Sequence, residues 1–384
     1  MDISTNLSKI TGSATAQIFS IAKEMENEGK DIIHLEIGQP NYGPLTKIIE
    51  ATKTALTNNE TGYTVSKGIE ELRESIAKYH EKNDNLKCNY INEIVITSGA
   101  KLAIFGAVWS VTNSGDNVII LNPSWVSYKD IVISLGAEAR FLKADMDFNY
   151  DINELDNLID NNTKAMIVNS PCNPTGAMIS EANMKSLAEI CRKNDILLIS
   201  DEIYHEYIYD ENKHYSLFNI ENWKEIGVVV NGFSKTYSMT GFRLGYVIGD
   251  KKIIKEINKV MQLTASCGTN FAQHGAIEAL NIIDEMREFI KNDVVSLRNN
   301  VIKLLDNYDI QYLTPKGGIY VWLKIPSNDS TSWAQRLLEN KGVALTPGRA
   351  FGPDGEGFVR ICFTKDYDQL EEGIKRIGQF LAES

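Results

Sequence analysis

The feature that most constrains the fold is a unit that repeats from about residue 94 onward: a short apolar strand, a polar turn containing Gly or Pro, and often a helix. Strands that are apolar over nearly their whole length are buried on both faces, as in a mostly parallel sheet covered by helices. One connecting helix is indicated at 184–191, where apolar residues recur at helical spacing. The predicted strands are 94–96, 118–121, 165–168, 196–199, 228–230 and 244–248.

The two ends of the chain have a different pattern. Residues 12–30 predict an extended segment followed by a helix, and the region beyond residue 285 predicts a long charged helix followed by mixed strands and helices. We therefore predict an α/β fold with a large domain over residues 46–285. A smaller α+β domain would combine residues 1–45 with residues 286–384.

Composition excludes several classes of protein. The 384 residues carry a net charge of -12, which disfavours nucleic acid or an anionic membrane as the main partner. The five cysteines are widely spaced with no CxxC pair, so neither a disulfide framework nor a metal site is predicted. No apolar run approaches the roughly 18 residues of a membrane span, and the first residues lack the apolar core of a signal peptide. We expect a cytoplasmic protein.

Unusual residues gather where the predicted strands end, which is where open α/β sheets bind ligands. The SGAK turn at 98–101 precedes a helix whose free N–H groups suit a phosphate. In NPSWVSY, Trp125 follows a Pro-containing turn and is either a core residue or a platform for a planar ring. The segment NSPCNPTG at 169–176 predicts a rigid polar loop.

Two further strand ends carry ionisable side chains. Asp201 closes the strand in LLISD and is followed by Tyr204, although an Asp in this position is often only a helix cap. In NGFSKTYSMTGFRLG, Lys235 is flanked by small residues and Arg243 follows eight residues later. This pattern predicts a buried amine nucleophile beside an arginine that binds an anion.

The order and spacing of these segments closely resemble the class I/II aminotransferases, fold type I enzymes that use pyridoxal 5'-phosphate (PLP). The strings NPTG, SDEIY and SKTYSMTGFRLGY are highly specific for this superfamily and much less specific for the amino acid used. The likeness to bacterial-type (subgroup Iγ) aspartate aminotransferases extends from Ser13 to FVRICF near the C-terminus. It implies a mostly parallel seven-stranded sheet, PLP as the cofactor, and amino transfer from an amino acid to a 2-oxo acid such as 2-oxoglutarate.

The resemblance also implies residue roles around the cofactor ring. Lys235 matches the lysine that binds PLP covalently and then moves the substrate proton. Asp201 matches the carboxylate that pairs with the pyridine nitrogen and keeps it protonated. Tyr204 and Asn173 would hydrogen-bond the phenolic oxygen, and Trp125 would stack on the ring.

The cofactor phosphate would lie on the backbone of Gly99, Ala100 and Lys101, with Arg243 as a bidentate clamp. Tyr63 resembles the tyrosine that reaches the phosphate of the neighbouring subunit, which implies a homodimer with shared sites.

The substrate contacts follow in the same way. Arg360 in FVRICF matches the arginine that binds the α-carboxylate, and the backbone of Gly38 would close over the same group. Trp125 and Asn173 would border the substrate.

A preference for dicarboxylic amino acids, aspartate first, is implied by three further matches. Ser13 and Thr15 lie where the bacterial-type aspartate enzymes have a Ser-x-Thr pair, and Lys101 lies where they have a lysine. An ammonium group and two hydroxyls can satisfy a second carboxylate. The alternative is that Ser13 and Thr15 cap a helix starting near residue 16, and that Lys101 is solvated.

The sequence departs from the family pattern at three places. Gly232 stands where many relatives have a serine that contacts the phosphate, which leaves Ser234 as its candidate replacement. Gln39 stands in place of the usual acidic residue, and Ser124 in place of an aromatic one. None of these changes removes a group that the chemistry requires.

Three other readings stay open at this point. The same motifs fit an aminotransferase for aromatic or small neutral amino acids, and they fit a PLP-dependent β-C–S lyase. A non-catalytic regulator that keeps PLP as a ligand ranks last, because no DNA-binding extension is visible and the chain is acidic.

Overall fold

The computed structural model describes residues 3–10, 12, 14–145 and 149–383, with the backbone only at 14 and 15. Its strands are β1 (Ile33–His34), β2 (Ile94–Thr97), β3 (Asn117–Asn122), β4 (Glu138–Lys143), β5 (Thr163–Asn169), β6 (Leu197–Asp201), β7 (Gly227–Gly232), β8 (Gly245–Gly249), β9 (Tyr312–Leu313), β10 (Tyr320–Lys324), β11 (Val343–Ala344), β12 (Thr346–Pro347) and β13 (Phe358–Cys362).

The predicted seven-stranded, mostly parallel sheet is confirmed. Its strand order is β2-β8-β7-β6-β5-β3-β4, and β8 is antiparallel to both of its neighbours while the other strands share one direction. Because β2, β3, β5, β6 and β7 point the same way, the turns that follow them meet at one edge of the sheet. That edge holds all five of the chemically unusual segments.

Helices cover both faces of this sheet. The predicted helix at 184–191 is part of α8, and its apolar residues Met184, Leu187, Ala188 and Cys191 are all buried. The helices are α1 (Thr5–Ser8), α2 (Ala14–Asn27), α3 (Thr46–Thr57), α4 (Glu70–Asp84), α5 (Ala100–Trp109), α6 (Ser127–Ser134), α7 (Ile152–Leu158), α8 (Glu181–Asn194), α9 (Lys251–Thr264), α10 (Asn270–Asn281), α11 (Ile283–Phe289), α12 (Val295–Asn307), α13 (Ser330–Lys341) and α14 (Tyr367–Ala382).

A second, antiparallel sheet of order β12-β13-β10-β9 lies in the C-terminal part. The N-terminal strand β1 pairs with β11 in parallel, and Ile33 and Leu35 pack in the same apolar cluster as Val321, Val359 and Ile374. This packing agrees with a small domain that recruits the N-terminal segment. The domain boundaries themselves stay a prediction.

One edge strand was missed in the sequence. Strand β4 has only Leu142 buried, because it forms the outer edge of the sheet and pairs with β3 alone. It therefore lacks the apolar run that marks the buried strands. Within the described ranges, no helix is long and apolar enough to cross a bilayer.

Candidate active site

A cavity of about 350 Å³ opens at the carboxyl edge of the large sheet. Among the described residues that line it, the charged ones are Lys101, Lys235, Arg243 and Arg360, opposed by Asp201. Four cations and one carboxylate make this cavity electropositive in a chain whose net charge is -12. The site therefore suits an anionic ligand carrying a phosphate or carboxylates.

Lys235 lies three residues beyond β7, with its amine in the cavity. Its Nζ donates a hydrogen bond of 2.6 Å to the carbonyl oxygen of Gly38. Burial, helped by the positive charges of Arg360 and Arg243, lowers the pKa of Lys235 to about 8 against the opposing effects of Cys362 and Asp201. The amine is thus partly neutral near pH 7–8, as a nucleophile requires.

Asp201 ends β6 and is buried at the floor of the same cavity. Its carboxylate accepts a 2.6 Å hydrogen bond from the Tyr128 hydroxyl and a 3.2 Å bond from the Ile203 backbone N–H. Burial raises the pKa of Asp201 to about 6, although both hydrogen bonds favour the charged form. A carboxylate held in this way pairs readily with a cationic ring nitrogen.

The turn after β2 has the geometry of an anion site. Gly99, directly before α5, has φ +81°, and a Cβ there would lie 2.6 Å from Nη2 of Arg243. Only glycine fits both the backbone conformation and the close approach of the guanidinium. The first N–H groups of α5 and the Arg243 side chain therefore face one space.

Lys101 and Trp125 form one wall of the cavity. The Lys101 ammonium lies 4.9 Å from the centre of the Trp125 ring, and the Trp125 ring packs edge-on against Tyr128 at 5.4 Å. Burial lowers the pKa of Lys101, and the charge of Arg243 adds to this effect. Lys101 therefore lines the cavity while its side chain stays exposed, so its substrate role and the solvated alternative both stay predictions.

Arg360, on β13, is buried between the rings of Tyr320 and Phe351, whose centres lie 4.3 Å and 5.0 Å from its Cζ. Its guanidinium donates to Asn173 Oδ1 at 3.0 Å and to Thr346 Oγ1 at 3.1 Å. A surface salt bridge is thereby excluded for this residue. The packing and hydrogen bonds hold the cation rigidly at the cavity.

Tyr204, Gly38 and Ser234 complete the lining. The Tyr204 and Tyr320 hydroxyls lie 2.8 Å apart, and a Cβ at Gly38 would collide with the Tyr320 hydroxyl. Ser234 borders the cavity, whereas a Cβ at Gly232 would approach backbone atoms of the next strand at 3.0 Å. Tight pairing of β7 with β8 thus accounts for the glycine at that departure from the family pattern.

Tyr63 does not line this cavity, and the described side chains do not include those of Ser13 and Thr15. The side chain of Tyr63 is 91% exposed. Ser13 lies outside the described residues, and Thr15 is described only by its backbone in α2.

Sequence reasoning missed Tyr128 and Tyr320. Tyr128 lies in the first turn of α6, three residues after Trp125, which precedes the helix, and the two rings pack together. That spacing was available in NPSWVSY. The position of Tyr320 depends on the pairing of β10 with β13, which no local pattern reveals.

Comparison with known proteins agrees with this geometry. Residues 30–377 match the family model for aminotransferase class I and II. Over its whole length the chain is 34% identical to an aspartate aminotransferase of Pyrococcus abyssi, covering 99% of that protein. It is 30% identical to an aromatic-amino-acid aminotransferase of Thermococcus litoralis, with the same coverage. A crystal structure of an aspartate aminotransferase from Thermotoga maritima superposes over 99% of this chain and 100% of its own, with TM-score 0.93 at 32% identity.

The chain belongs to the aminotransferase class I and II family. It is a PLP-dependent enzyme that transfers an amino group between an amino acid and a 2-oxo acid. The residues present fit the cofactor: an amine of lowered pKa, a buried carboxylate and an anion-binding turn line one cavity.

Proposed function

We propose that the cavity binds PLP through Lys235, Asp201 and the 99–101 turn, and that the enzyme prefers dicarboxylic amino acids. The observation that carries the assignment is the meeting of a weakly basic amine, a buried carboxylate and a glycine-arginine anion site within about 350 Å³. When bound, the cofactor supplies the electron-accepting ring that the side chains lack.

Each side chain then has a defined task. Asp201, held by Tyr128, would keep a proton on the pyridine nitrogen, and Arg243 with the start of α5 would hold the phosphate. Trp125 would stack on one face of the cofactor ring. Lys235 would bind the cofactor and, once displaced by substrate, move a proton at the substrate Cα, a task that suits a pKa of about 8.

Arg360 would bind the substrate α-carboxylate. Its side chain is already desolvated and oriented by Asn173 and Thr346, so little ordering is left for substrate binding. Asn173 would in addition donate to the phenolic oxygen of the cofactor, as would Tyr204. The Gly38 backbone, whose carbonyl oxygen accepts a hydrogen bond from Lys235, would close over the substrate α-carboxylate.

The dicarboxylate preference rests on Lys101. Its ammonium lies over the Trp125 ring at the cavity. In addition to Arg360, it offers a second cation for a second carboxylate. Ser13 and Thr15 would add two hydroxyl groups. Relatives named aspartate aminotransferase support this preference, and the relative named for aromatic amino acids defines the competing outcome.

We expect Lys101→Ala to lower kcat/KM for aspartate roughly tenfold to a hundredfold, the effect of losing a charge-assisted hydrogen bond of ~1.5–3 kcal/mol. Activity with alanine and phenylalanine, which carry no second carboxylate, is the internal control and changes little. The measurement is kcat/KM for the three donors with 2-oxoglutarate. If aspartate is not preferred by the wild type, or if the ratios do not change, the dicarboxylate preference is wrong.

We further propose a homodimer in which Tyr63 reaches the partner's phosphate site. Tyr63, Val65 and Leu263 are 91%, 59% and 74% exposed, and the hydrogen bond from Gln262 to Ser66 joins their two segments into one surface. Apolar side chains grouped in this way indicate an interface. The surface flanks β2, whose end carries the phosphate turn.

Sedimentation is expected to show a dimer, and Leu263→Glu to shift it toward monomer with weaker PLP binding, because a charge would be buried at the interface. Ile152→Glu is the matched control, since Ile152 is exposed on α7, beside the opposite edge strand β4. A fully active monomer contradicts the role of Tyr63.

A further inference from the structure

Glu36 is buried beside the active site, and the proposed function gives it no task. It is 0% exposed, and its Oε1 lies 2.7 Å from Nδ1 of His34 while Oε2 has no hydrogen-bond partner. A fully buried carboxylate is costly unless a cation or several donors satisfy it. The His34 imidazole is its hydrogen-bonding partner among the described side chains.

His34 lies between two carboxylates. Its Nδ1 faces Glu36, and its Nε2 lies 3.2 Å from Oε1 of Glu26 on α2, which is also paired with Lys23 at 2.5 Å. The ring of Phe19 packs against the imidazole at 5.7 Å, and the paired strand β11 (Val343–Ala344) contributes no ionisable side chain. The surroundings of His34 thus favour the protonated ring.

The backbone beyond His34 is part of the active site. The carbonyl oxygen of Glu36 accepts from Nη2 of Arg360, and that of Gly38 accepts from Lys235. The Gln39 carbonyl accepts a 3.4 Å bond from Thr364. The segment 36–39 therefore links the buried carboxylate to the arginine assigned to the substrate α-carboxylate.

We infer that His34 and Glu36 are positioning residues for Arg360, and that loss of the His34 proton weakens binding of the substrate α-carboxylate. This inference rests on the role proposed for Arg360. With His34 protonated, the pair is neutral and the segment 36–39 stays docked against Arg360. With His34 neutral, the Glu36 charge is uncompensated inside the protein, where it repels a substrate carboxylate and disfavours the docked segment.

The direction of the pH effect follows from the pKa of His34, which Glu36 raises above its usual value of 6.5, with Glu26 adding to the effect against partial burial. The proton is thus retained above pH 6.5 and lost as the pH rises through the raised value. Substrate affinity is expected to be highest below that pH and to fall above it.

The test compares holoenzyme variants in KM, kcat and the Kd of maleate, an unreactive dicarboxylate, between pH 6 and 9. We expect His34→Gln to raise KM and the maleate Kd roughly tenfold with kcat within about twofold. Glu36→Gln removes the buried charge, so KM becomes nearly independent of His34 titration. The double variant is expected to recover most of the affinity lost in His34→Gln, a rescue that a merely structural contact does not give.

Glu28→Gln is the matched control, because it removes an exposed carboxylate just after α2. An unchanged KM in His34→Gln, or no rescue in the double variant, overturns the inference. If His34→Gln does not fold, a Glu36→Gln enzyme with the pH dependence of the wild type overturns it equally.

Arg360→Lys separates this inference from the proposed function. If it weakens maleate binding while the His34 and Glu36 variants do not, the positioning role alone is wrong. If it leaves maleate binding unchanged, the assignment of Arg360 is wrong and the inference fails with it.

Discussion

Replacement of Lys235 by alanine is expected to leave a folded protein with no detectable turnover, a loss of at least roughly 10⁴-fold. The amine is placed to serve both as the attachment point of the cofactor and as the acid-base group, so no neighbouring side chain can compensate. The Tyr204 ring centre lies 6.0 Å from the Lys235 amine, but burial holds the pKa of the Tyr204 hydroxyl well above the usual value of 10. It therefore cannot accept a proton near neutral pH.

The fold is expected to survive this change. The lowered pKa of Lys235 means that burial disfavours its charged form, so removing the amine relieves a desolvation cost and loses one hydrogen bond to Gly38. The thermal midpoint of the cofactor-free protein is then similar to that of the wild type. Circular dichroism and sedimentation provide that comparison.

Borohydride reduction followed by peptide mass mapping checks the assignment without an activity assay. The wild type is expected to carry PLP on the peptide that contains Lys235, and Lys235→Ala to carry none. Lys101→Ala is the matched control, because Lys101 lines the same cavity and its pKa is also lowered by burial. Attachment of the cofactor to another lysine, or normal turnover of Lys235→Ala, contradicts the assignment.

The edge of the sheet that bears the cavity was predictable from the sequence. The buried parallel strands are apolar throughout, and the residues that end them, such as Asp201, stand out against that background. Strand direction then brings residues as distant as Gly99 and Lys235 to one edge without any further information. Local composition and the rule for parallel sheets were sufficient for this part.

The contacts that orient these groups were not predictable in the same way. Arg360 and Asn173 are 187 residues apart in the chain, and their hydrogen bond depends on how β13 lies against the large sheet. The pairing of β1 with β11 depends likewise on long-range register, since two-residue strands leave no periodic signal. Sequence patterns identify groups with unusual chemistry, whereas their partners follow from packing.

Replacement of Asp201 by asparagine or alanine is expected to lower the rate of proton transfer roughly 10²–10³-fold while PLP still binds through its phosphate contacts. Without the carboxylate, no residue at the cavity floor holds a proton on the pyridine nitrogen. Single-turnover rates with aspartate measure the step directly, and equilibrium dialysis measures retention of the cofactor. Unchanged single-turnover rates contradict the role of Asp201.

Tyr128→Phe tests the same carboxylate from its other side. The Tyr128 hydroxyl lowers the pKa of Asp201, so its removal raises that pKa above about 6 and moves the acid limb of the activity profile to higher pH. At pH 8 the variant is expected to approach the wild-type rate, whereas Asp201→Asn stays impaired at every pH. A profile that does not move contradicts the coupling of Tyr128 to Asp201.

Asp201→Asn is expected to make the cofactor-free protein more stable at pH 7, although the same substitution lowers activity. Because burial raises the pKa of Asp201 from 3.8 to about 6, the native state binds more protons than the unfolded state between those values, and stability falls as pH rises through that window. At pH 7 this difference in pKa lowers the free energy of unfolding by about 2–3 kcal/mol.

Asp201→Asn removes the charge and is expected to regain part of that free energy at pH 7 and none of it below pH 4. Urea unfolding of the cofactor-free proteins at both pH values checks the sign, and a destabilised Asp201→Asn at pH 7 contradicts it. Asp201 lowers the stability of the cofactor-free protein, and the need to pair with a cationic ring nitrogen explains why a buried carboxylate stands there.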